Sequence, residues 1–249
     1  MVFATRETGS TLDDAHRLAA DGAPHGTVIL TDCQTGGRGR QGRSFSSGAG
    51  QGIWLTLIAR DTDPDAVPVL AIRLGLAVAA ALDPAAGEIV GLKWPNDVYL
   101  RAGKLAGILV EARWHGGRLA WLAAGIGINV IPPPRVATAA GLPGAPGRLR
   151  LLDMLLPPLR AVMEERGGLR AVELQAFASR DVALGRRAIA PIAGTVLGVA
   201  PDGALRVLTS EGERHAHAGS LLLDPPLVGA SRTGGGDGPS PSSHPVSHR

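Results

Sequence analysis

The sequence predicts an α+β protein: a mixed, mostly antiparallel sheet flanked by helices, followed by a small β-barrel. Three observations carry this. Between residues 27 and 130, β-rich runs are separated by turns short enough for hairpins. Stretches with helical spacing lie before, among and after those runs. From about residue 183 the helical spacing stops, and β runs recur every six to ten residues.

In chain order, Ser10-Thr11-Leu12-Asp13 opens a helix that runs through His16 to Ala20. Ser10 caps the first amides, Asp13 returns the bond, and Gly22 ends the helix. Thr27–Asp32 is a strand, residues 33–51 form a Gly-rich loop, and Gly52–Ala59 is a strand. The apolar stretch Val67–Leu82, interrupted by Arg73 and stopped by Pro84, is too short to span a bilayer and reads as a buried helix. Strands follow at about 89–93, 98–100, 104–113 and 118–130, with turns at Arg101-Ala102-Gly103 and His115-Gly116-Gly117. Residues 131–148 are a Pro/Gly-rich connection, and helices occupy 149–165 and 170–181. The runs RAIA, GTVLGVA, ALRVLTS, RHAHAG and SLLL make the barrel, and the Gly, Ser, Pro and His of the C-terminus have little to bury. The expected division is a main domain over 1–182, the barrel over 183–224 and a disordered tail over 225–249.

Composition narrows the function. With 45% hydrophobic residues in 249 the chain is globular, and with 3% aromatics its core must be Leu, Val, Ile and Ala. A net charge of +3 hints at anionic ligands but is no nucleic-acid signature. The single cysteine, Cys33, excludes an internal disulfide and predicts a reducing, cytoplasmic setting. The start, MVFATRETGS, lacks the apolar core of a secretion signal.

Of 25 basic side chains only two are lysine, Lys93 and Lys104, and the only two asparagines are Asn96 and Asn129. All four lie between residues 93 and 129. Lys is a compact point charge and Arg a wide planar fork, so a confined site that sets one cation against a small anion accepts the first and rejects the second. Genomic bias is the bland alternative, and the shared confinement weighs against it.

Three constellations could carry chemistry. In the loop, Gly36, Gly37, Gly39 and Gly42 surround Arg38, Arg40 and Arg43, so backbone amides can approach a ligand and guanidinium groups can grip phosphate or carboxylate. Residues 37–42 match GxGxxG, but a strand rather than a helix follows, and no acidic residue ends a following strand, so a dinucleotide fold is rejected. A solvated Arg/Gly loop remains the alternative; RNA binding lacks an aromatic series for stacking. Second, Lys93-Trp94-Pro95-Asn96-Asp97 makes a tight turn before Lys104, where turn chemistry and a strand-edge gatekeeper lysine are the competing readings. Third, Gly125-Ile126-Gly127-Ile128-Asn129 puts glycine inside a strand, which marks close approach of a ligand or backbone, with a strand-end turn as the alternative for Asn129.

GRGRQGR at 37–43, KWPNDVYL at 93–100, KLAGILVE at 104–111 and GIGIN at 125–129 resemble the four signature blocks of biotin–protein ligases, in that family's order and spacing. The similarity runs from about residue 4 to residue 223. It implies a class II aminoacyl-tRNA synthetase/biotin ligase-like domain that binds biotin and ATP, followed by an SH3-like barrel. The implied reaction makes biotinyl-5′-adenylate from biotin and MgATP, then moves biotin to a lysine of a biotin carboxyl carrier domain of a biotin-dependent carboxylase. By position, Ser10, Thr11, Leu12, Gln34, Gly37, Arg38, Gly39, Arg40 and Lys104 match biotin or adenylate contacts, Ser10 and Thr11 on the ureido ring in competition with capping. Arg40 and Arg43 match the loop that orders over the adenylate, and Gly107 and Leu109 the strand behind the biotin. Trp94 and Asn96 flank the nucleotide, Asn129 lies beside the adenine or triphosphate, and Asp97 matches a residue proposed to help deprotonate the incoming lysine. Lys104 is the bridge between carboxylate and α-phosphate; the Mg²⁺ ligands are unassigned.

Three positions depart from the family: Leu12 where Asn is frequent, Phe45 in place of a Trp, and Gln41 where some members have a third arginine. Because no extension that could hold a winged helix precedes the first block, the expectation is a ligase of the monofunctional type, with no DNA and no membrane partner. Members of the family often pair through a sheet edge, so the resemblance allows a homodimer. The rival readings are a lipoate or octanoate ligase or transferase of the same superfamily, a non-catalytic RNA-binding module, and an inactive homologue.

Overall fold

The computed structural model describes residues 1–142 and 144–227. The first half of the chain builds the main sheet and two helices: β1 (Val2–Thr8), α1 (Thr11–Ala20), β2 (Val28–Gln34), β3 (Gly52–Ala59), α2 (Leu70–Ala86), β4 (Gly91–Lys93), β5 (Asp97–Leu100), β6 (Gly103–His115) and β7 (Arg118–Asn129). Two helices follow, α3 (Arg148–Val162) and α4 (Ala171–Ala178). A second set of strands comprises β8 (Arg187–Ala190), β9 (Gly194–Val199), β10 (Leu205–Thr209), β11 (Gly212–Ala216) and β12 (Leu222–Asp224). The seven-stranded sheet runs β1-β2-β3-β7-β6-β5-β4, and only β1 and β2 are parallel. The mixed, mostly antiparallel sheet with helices is therefore as the sequence predicts.

Helices cover the sheet on both faces. On one, Leu70, Leu74, Val78 and Leu82 of α2 join Leu151, Leu155 and Leu159 of α3 over Leu55, Leu57, Ile108 and Ile126. On the other, Leu12, Ala15 and Ala19 of α1 pack on Ile29, Ile58 and Ala123. Aliphatic side chains do most of this, as 3% aromatics require.

β1 is absent from the sequence reading because its side chains, from Val2 to Glu7, are exposed, and a strand with no buried face has no alternation to detect. Backbone pairing to β2 holds it. Pro84 does not stop α2, which continues to Ala86 and ends on the left-handed Gly87, whose N–H donates to Asp83 O. With the preceding 3-10 turn, Pro64–Ala86 is 23 residues long, so by length it could span a bilayer, contrary to the sequence reading; 56% of its most apolar window is buried within the fold, as in a core helix. Asp13 does not return the capping bond of α1: Ser10 Oγ accepts from Leu12 N, while Asp13 pairs with Arg38. α4 is four residues shorter than the predicted 170–181, running from Ala171 to Ala178.

The C-terminal strands form an antiparallel five-stranded sheet in the order β11-β10-β9-β8-β12. In the described residues the two outer strands, β11 and β12, do not pair with one another. This sheet is joined to the main one by Trp94, whose Nε1 donates to Gly203 O at 2.9 Å in a buried contact. The chain between α4 and β8 also covers the outer edge of β4: Leu92 N donates to Arg180 O at 2.7 Å and Val182 N to Leu92 O at 3.0 Å. The predicted tail lies, from residue 228 onward, outside the described residues.

The one charge inside the apolar core of α2 is Arg73, 2% exposed. It ties α2 to the start of α4: Nε and Nη2 donate to the two carboxylate oxygens of Glu173 at 2.8 and 3.2 Å, and Nη1 and Nη2 to the carbonyls of Gly167 and Gly168. Burial pushes the Glu173 carboxyl up, but the Arg73 and Arg170 hydrogen bonds outweigh it and hold the group at about 2. A lowered acid stabilises the fold above its unfolded value near 4.5, and that stabilisation is lost as the pH falls toward about 2. Glu173→Gln should therefore lower stability at pH 7 by about 3 kcal/mol, and urea unfolding should show the gap to wild type closing between pH 4.5 and pH 2. A gap independent of pH would show that the pair is not the source.

Candidate active site

The site begins with what the main sheet lacks. α1 is only 10 residues long, and its first turn reaches β7 at Gly125 through Leu12. There the sheet offers glycine: Gly107 of β6 pairs with Gly127 of β7, and Leu109 with Gly125. A Cβ on Gly127 would stand 2.6 Å from the Phe45 ring, and one on Gly125 3.0 Å from Leu12. These glycines are required by close approach on a strand. The result is a cavity whose floor is bare backbone, with Leu12 and Phe45 resting on it.

Register shows how the floor is used. Lys93, Asp97, Gly107, Gly127 and Trp54 are consecutive partners across β4, β5, β6, β7 and β3. Partners in a sheet share a face, so one row carries charge at one end, glycine in the middle and an aromatic ring at the other. Phe45 packs edge-on against Trp54, ring centres 5.8 Å apart. Lys104 would normally point the other way, being an odd number of residues from Gly107. A bulge corrects this: β5 pairs Val98 with Ala106 and Tyr99 with Lys104, so Leu105 is the extra residue. Lys104 is thereby turned onto the cavity face, where its Nζ lies 3.2 Å from the Cβ position of Gly107 and 2.5 Å from Asp97 Oδ1.

Charge is unbalanced. The cavity is lined by Lys93, Lys104, Arg38, Arg40 and Arg43, and by one acidic residue, Asp97. Burial lowers the Lys93 ammonium, Asp97 opposes this, and Lys104, Arg43 and Arg186 push it further down. Burial likewise lowers Arg40, with Asp97 acting against and Arg43 with the shift. Cations that are both desolvated and crowded favour an arriving anion. Arg38 differs from the others because its guanidinium is already committed, to Asp13 at 2.8 Å and Glu111 at 3.4 Å.

The arginine loop is folded back on itself rather than opening a helix. Gly39 N donates to Arg43 O at 2.7 Å and Phe45 N to Gly37 O at 2.8 Å. Arg38 and Ser44 are the antiparallel pair between these bonds, a position whose own N–H and C=O turn away from the partner strand. Gly37 is obligatory here, since its Cβ would meet Phe45 O at 2.6 Å. Rejection of the dinucleotide reading is borne out: residues 40–42 are one 3-10 turn and β3 follows.

The far end of the cavity is polar. Gln34 Oε1 accepts from Thr11 N at 2.9 Å and Thr11 Oγ1 at 3.1 Å, its Nε2 donates to Ser47 Oγ, and Thr56 Oγ1 donates to Thr11 Oγ1. Ser47 in turn donates to Phe45 O, linking this network to the loop. Ser10 takes the capping role, and Thr11 is held by Gln34 and Thr56. Asn96 stitches its turn to β6, donating to Ile108 O at 2.6 Å and accepting from Ile108 N. Asn129 is 4% exposed and donates to Lys104 O, supporting the bulge from behind, while its Oδ1 has no partner among the described residues.

Of the residues singled out from sequence, Ser10, Thr11, Leu12, Gln34, Arg38, Gly39, Arg40, Arg43, Trp94, Asn96, Asp97, Lys104, Gly107 and Leu109 line this one cavity. Gly37 and Asn129 do not; both act on their neighbours. The reading missed Thr56 and Ser47, which sit in a strand and a loop with no motif around them, and the Ser220-Leu221-Leu222 segment, which reaches the cavity from the C-terminal sheet. No local pattern signals a residue recruited from 180 positions away along the chain.

Residues 5–129 match the family described as Biotin/lipoate A/B protein ligase. A Mycobacterium tuberculosis protein named biotin–[acetyl-CoA-carboxylase] ligase is 33% identical over 213 residues, covering 79% of this chain and 77% of that one. The bifunctional ligase/repressor BirA of Bacillus subtilis is 40% identical over 126 residues, 50% of this chain but only 39% of the relative's own length. Among solved structures, the biotin protein ligase from Aquifex aeolicus in complex with biotin and ATP aligns with a TM-score of 0.73 at 26% identity, covering 89% of this chain and 97% of that one.

With only two lysines in the chain, ε-carbon NMR of labelled lysine can follow each alone. Lys93 is expected to titrate below 10.5, and added pyrophosphate to move its midpoint upward by supplying the missing negative charge. An unshifted Lys93 with no response to pyrophosphate would contradict the charge imbalance.

Proposed function

The chain belongs to the biotin/lipoate A/B protein ligase family, and from that premise we propose that it is an ATP-dependent biotin–protein ligase. The observation that carries the reading is the crowd of cations around Asp97 at one end of a glycine-floored cavity. The first step joins two anions: a biotin carboxylate oxygen attacks the α-phosphorus of ATP, and pyrophosphate leaves. Such a step is slow unless fixed positive charge lies between the reactants. Lys104, small enough to lie along the Gly107 backbone, is the bridge. Arg40, Arg43 and Lys93 take the charge of the phosphates, and the Thr11–Gln34 end holds the ureido ring by hydrogen bonds.

In the second step the amine of a biotin carboxyl carrier lysine attacks the acyl carbon and AMP leaves. The amine must lose a proton, since a free lysine has a pKa near 10.4, and Asp97 is the acidic residue within the cavity to receive it. Mg²⁺ would arrive with the nucleotide: among the described residues no cluster of three or more His, Cys, Asp or Glu could hold a metal. The C-terminal sheet, read as an SH3-like unit over 183–224 beside a catalytic unit over 1–182, closes the site through Ser220–Leu222. The reading places the work in the cytoplasm and allows a homodimer.

Lys104→Arg keeps the charge and loses the fit, so ATP–pyrophosphate exchange with biotin should fall by about a hundredfold or more; wild-type exchange in that variant would remove Lys104 from the bridge role. Arg40→Ala should leave the thermal midpoint unchanged and release adenylate faster, measured by filter retention of labelled intermediate. Calorimetric titration with biotin, lipoate and octanoate settles the acid: heat with lipoate or octanoate and none with biotin would favour the other branch of the family.

A further inference from the structure

One line of contacts outside the cavity is not used by the reaction. Trp121 of β7 donates its indole N–H to His16 Nδ1 at 3.0 Å, and His16 Nε2 meets Glu111 Oε2 at 2.8 Å. An indole nitrogen can only donate, so Nδ1 must accept and the His16 proton sits on Nε2, aimed at Glu111. Glu111 of β6 uses both carboxylate oxygens again, accepting from Arg38 Nε at 3.4 Å and Nη2 at 3.5 Å. Arg38 also grips Asp13 of α1 at 2.8 Å. Arg113 stands 3.8 Å from Glu111, and Arg60 and His115 lie against the Trp121 ring. The His16 side chain is 11% exposed, Glu111 23% and Arg38 30%, so these bonds are largely shielded from water.

We propose that His16 is a positioning residue which, oriented by Trp121, directs Glu111 to hold Arg38 and so anchors the first limb of the arginine loop to the sheet. Arg38 is the root of that loop: it lies between the Gly39–Arg43 and Phe45–Gly37 backbone bonds that fold the loop back, with Phe45, Arg40 and Arg43 lining the cavity beyond it. Without the anchor the loop would still be tied at Gly37 and Gly39, but its lateral position on β6 would be free. The side chain of Arg38 is thus committed to architecture, with each of its three nitrogens on a carboxylate. The consequence for substrate rests on the ligase reading; the anchor itself does not.

Hydrogen exchange of the ligand-free protein tests the anchor without any substrate. His16→Phe and Glu111→Ala should each raise exchange in residues 36–47 by about tenfold, the effect of one lost shielded hydrogen bond, with the sheet amides and thermal midpoint close to wild type. Trp121→Phe keeps an aromatic side chain and removes the N–H to His16, so it should act in the same segment even if the other two fold poorly. His16→Phe added to Glu111→Ala should contribute little more, because both break one line. In the biotin assay these variants should raise KM about tenfold with kcat within about twofold. Unchanged loop exchange in all three, a rise spread evenly over the chain, or additive effects in the double variant would each overturn the proposal. A wild-type protein that releases no pyrophosphate with biotin would sink the ligase reading instead, and the exchange data would still decide the anchor.

Discussion

Positive charge held in place without its counter-ion is the constraint on which this molecule is organised. Lys93, Lys104, Arg40 and Arg43 line one cavity with a single carboxylate, Asp97, which pairs with Lys104, and Lys93 and Arg40 are displaced downward by burial and by neighbouring cations. Left to themselves, such groups would move apart into water. The fold prevents this by mounting them on different supports: Lys93 and Lys104 on two strands locked through the Asp97 row, the arginines on a loop pinned at both limbs. An anion arriving there would relieve the crowding of the cations, and charges fixed in this way act without reorganising.

A second constraint is space. A sheet face normally carries side chains, and a ligand can only lie on it where they are missing. Gly107, Gly125 and Gly127 leave that gap on the face that carries α1, and the opposite face compensates with a continuous aliphatic layer under α2 and α3. The Leu105 bulge belongs to the same design, since it lets one strand send Lys104 to the cavity and Leu105 to the core without breaking its pairing to β7. Phe45 and Leu12 occupy the floor as apolar covers, so the departures from the family pattern at these positions change what lies over the glycines and not the glycines themselves.

The site is also a junction. Trp94, next to Lys93, hydrogen-bonds to the turn at Gly203, and Ser220–Leu222 reach the cavity from β12 and the segment before it. The C-terminal sheet therefore completes a wall and is coupled to the residues that carry the charge. This fits the extent of the likeness to the Aquifex aeolicus structure, which covers 89% of the chain and so takes in both sheets.

Much of this was readable from residue order alone, for identifiable reasons. Rarity marked Lys93, Lys104, Asn96 and Asn129, because a chain that otherwise spends only arginine leaves a visible trace where arginine does not fit. Glycine inside strands marked the floor, and turn residues marked the hairpins, since both depend on local backbone geometry. What local pattern could not contain was decided by tertiary structure. β1 has no buried face and is held by its neighbour's backbone; Pro84 lies so near the helix end that the helix tolerates it; Asp13 prefers a guanidinium brought from another element over its own helix cap. Which of the loop's arginines stays free for a ligand, and which is bound to Glu111 and Asp13, depends on what α1 and β6 place beside each one. Residue types and their spacing pointed to a candidate anion site and to most of the side chains that line its cavity; only packing decided the direction in which each of them points, because orientation is a property of the neighbours.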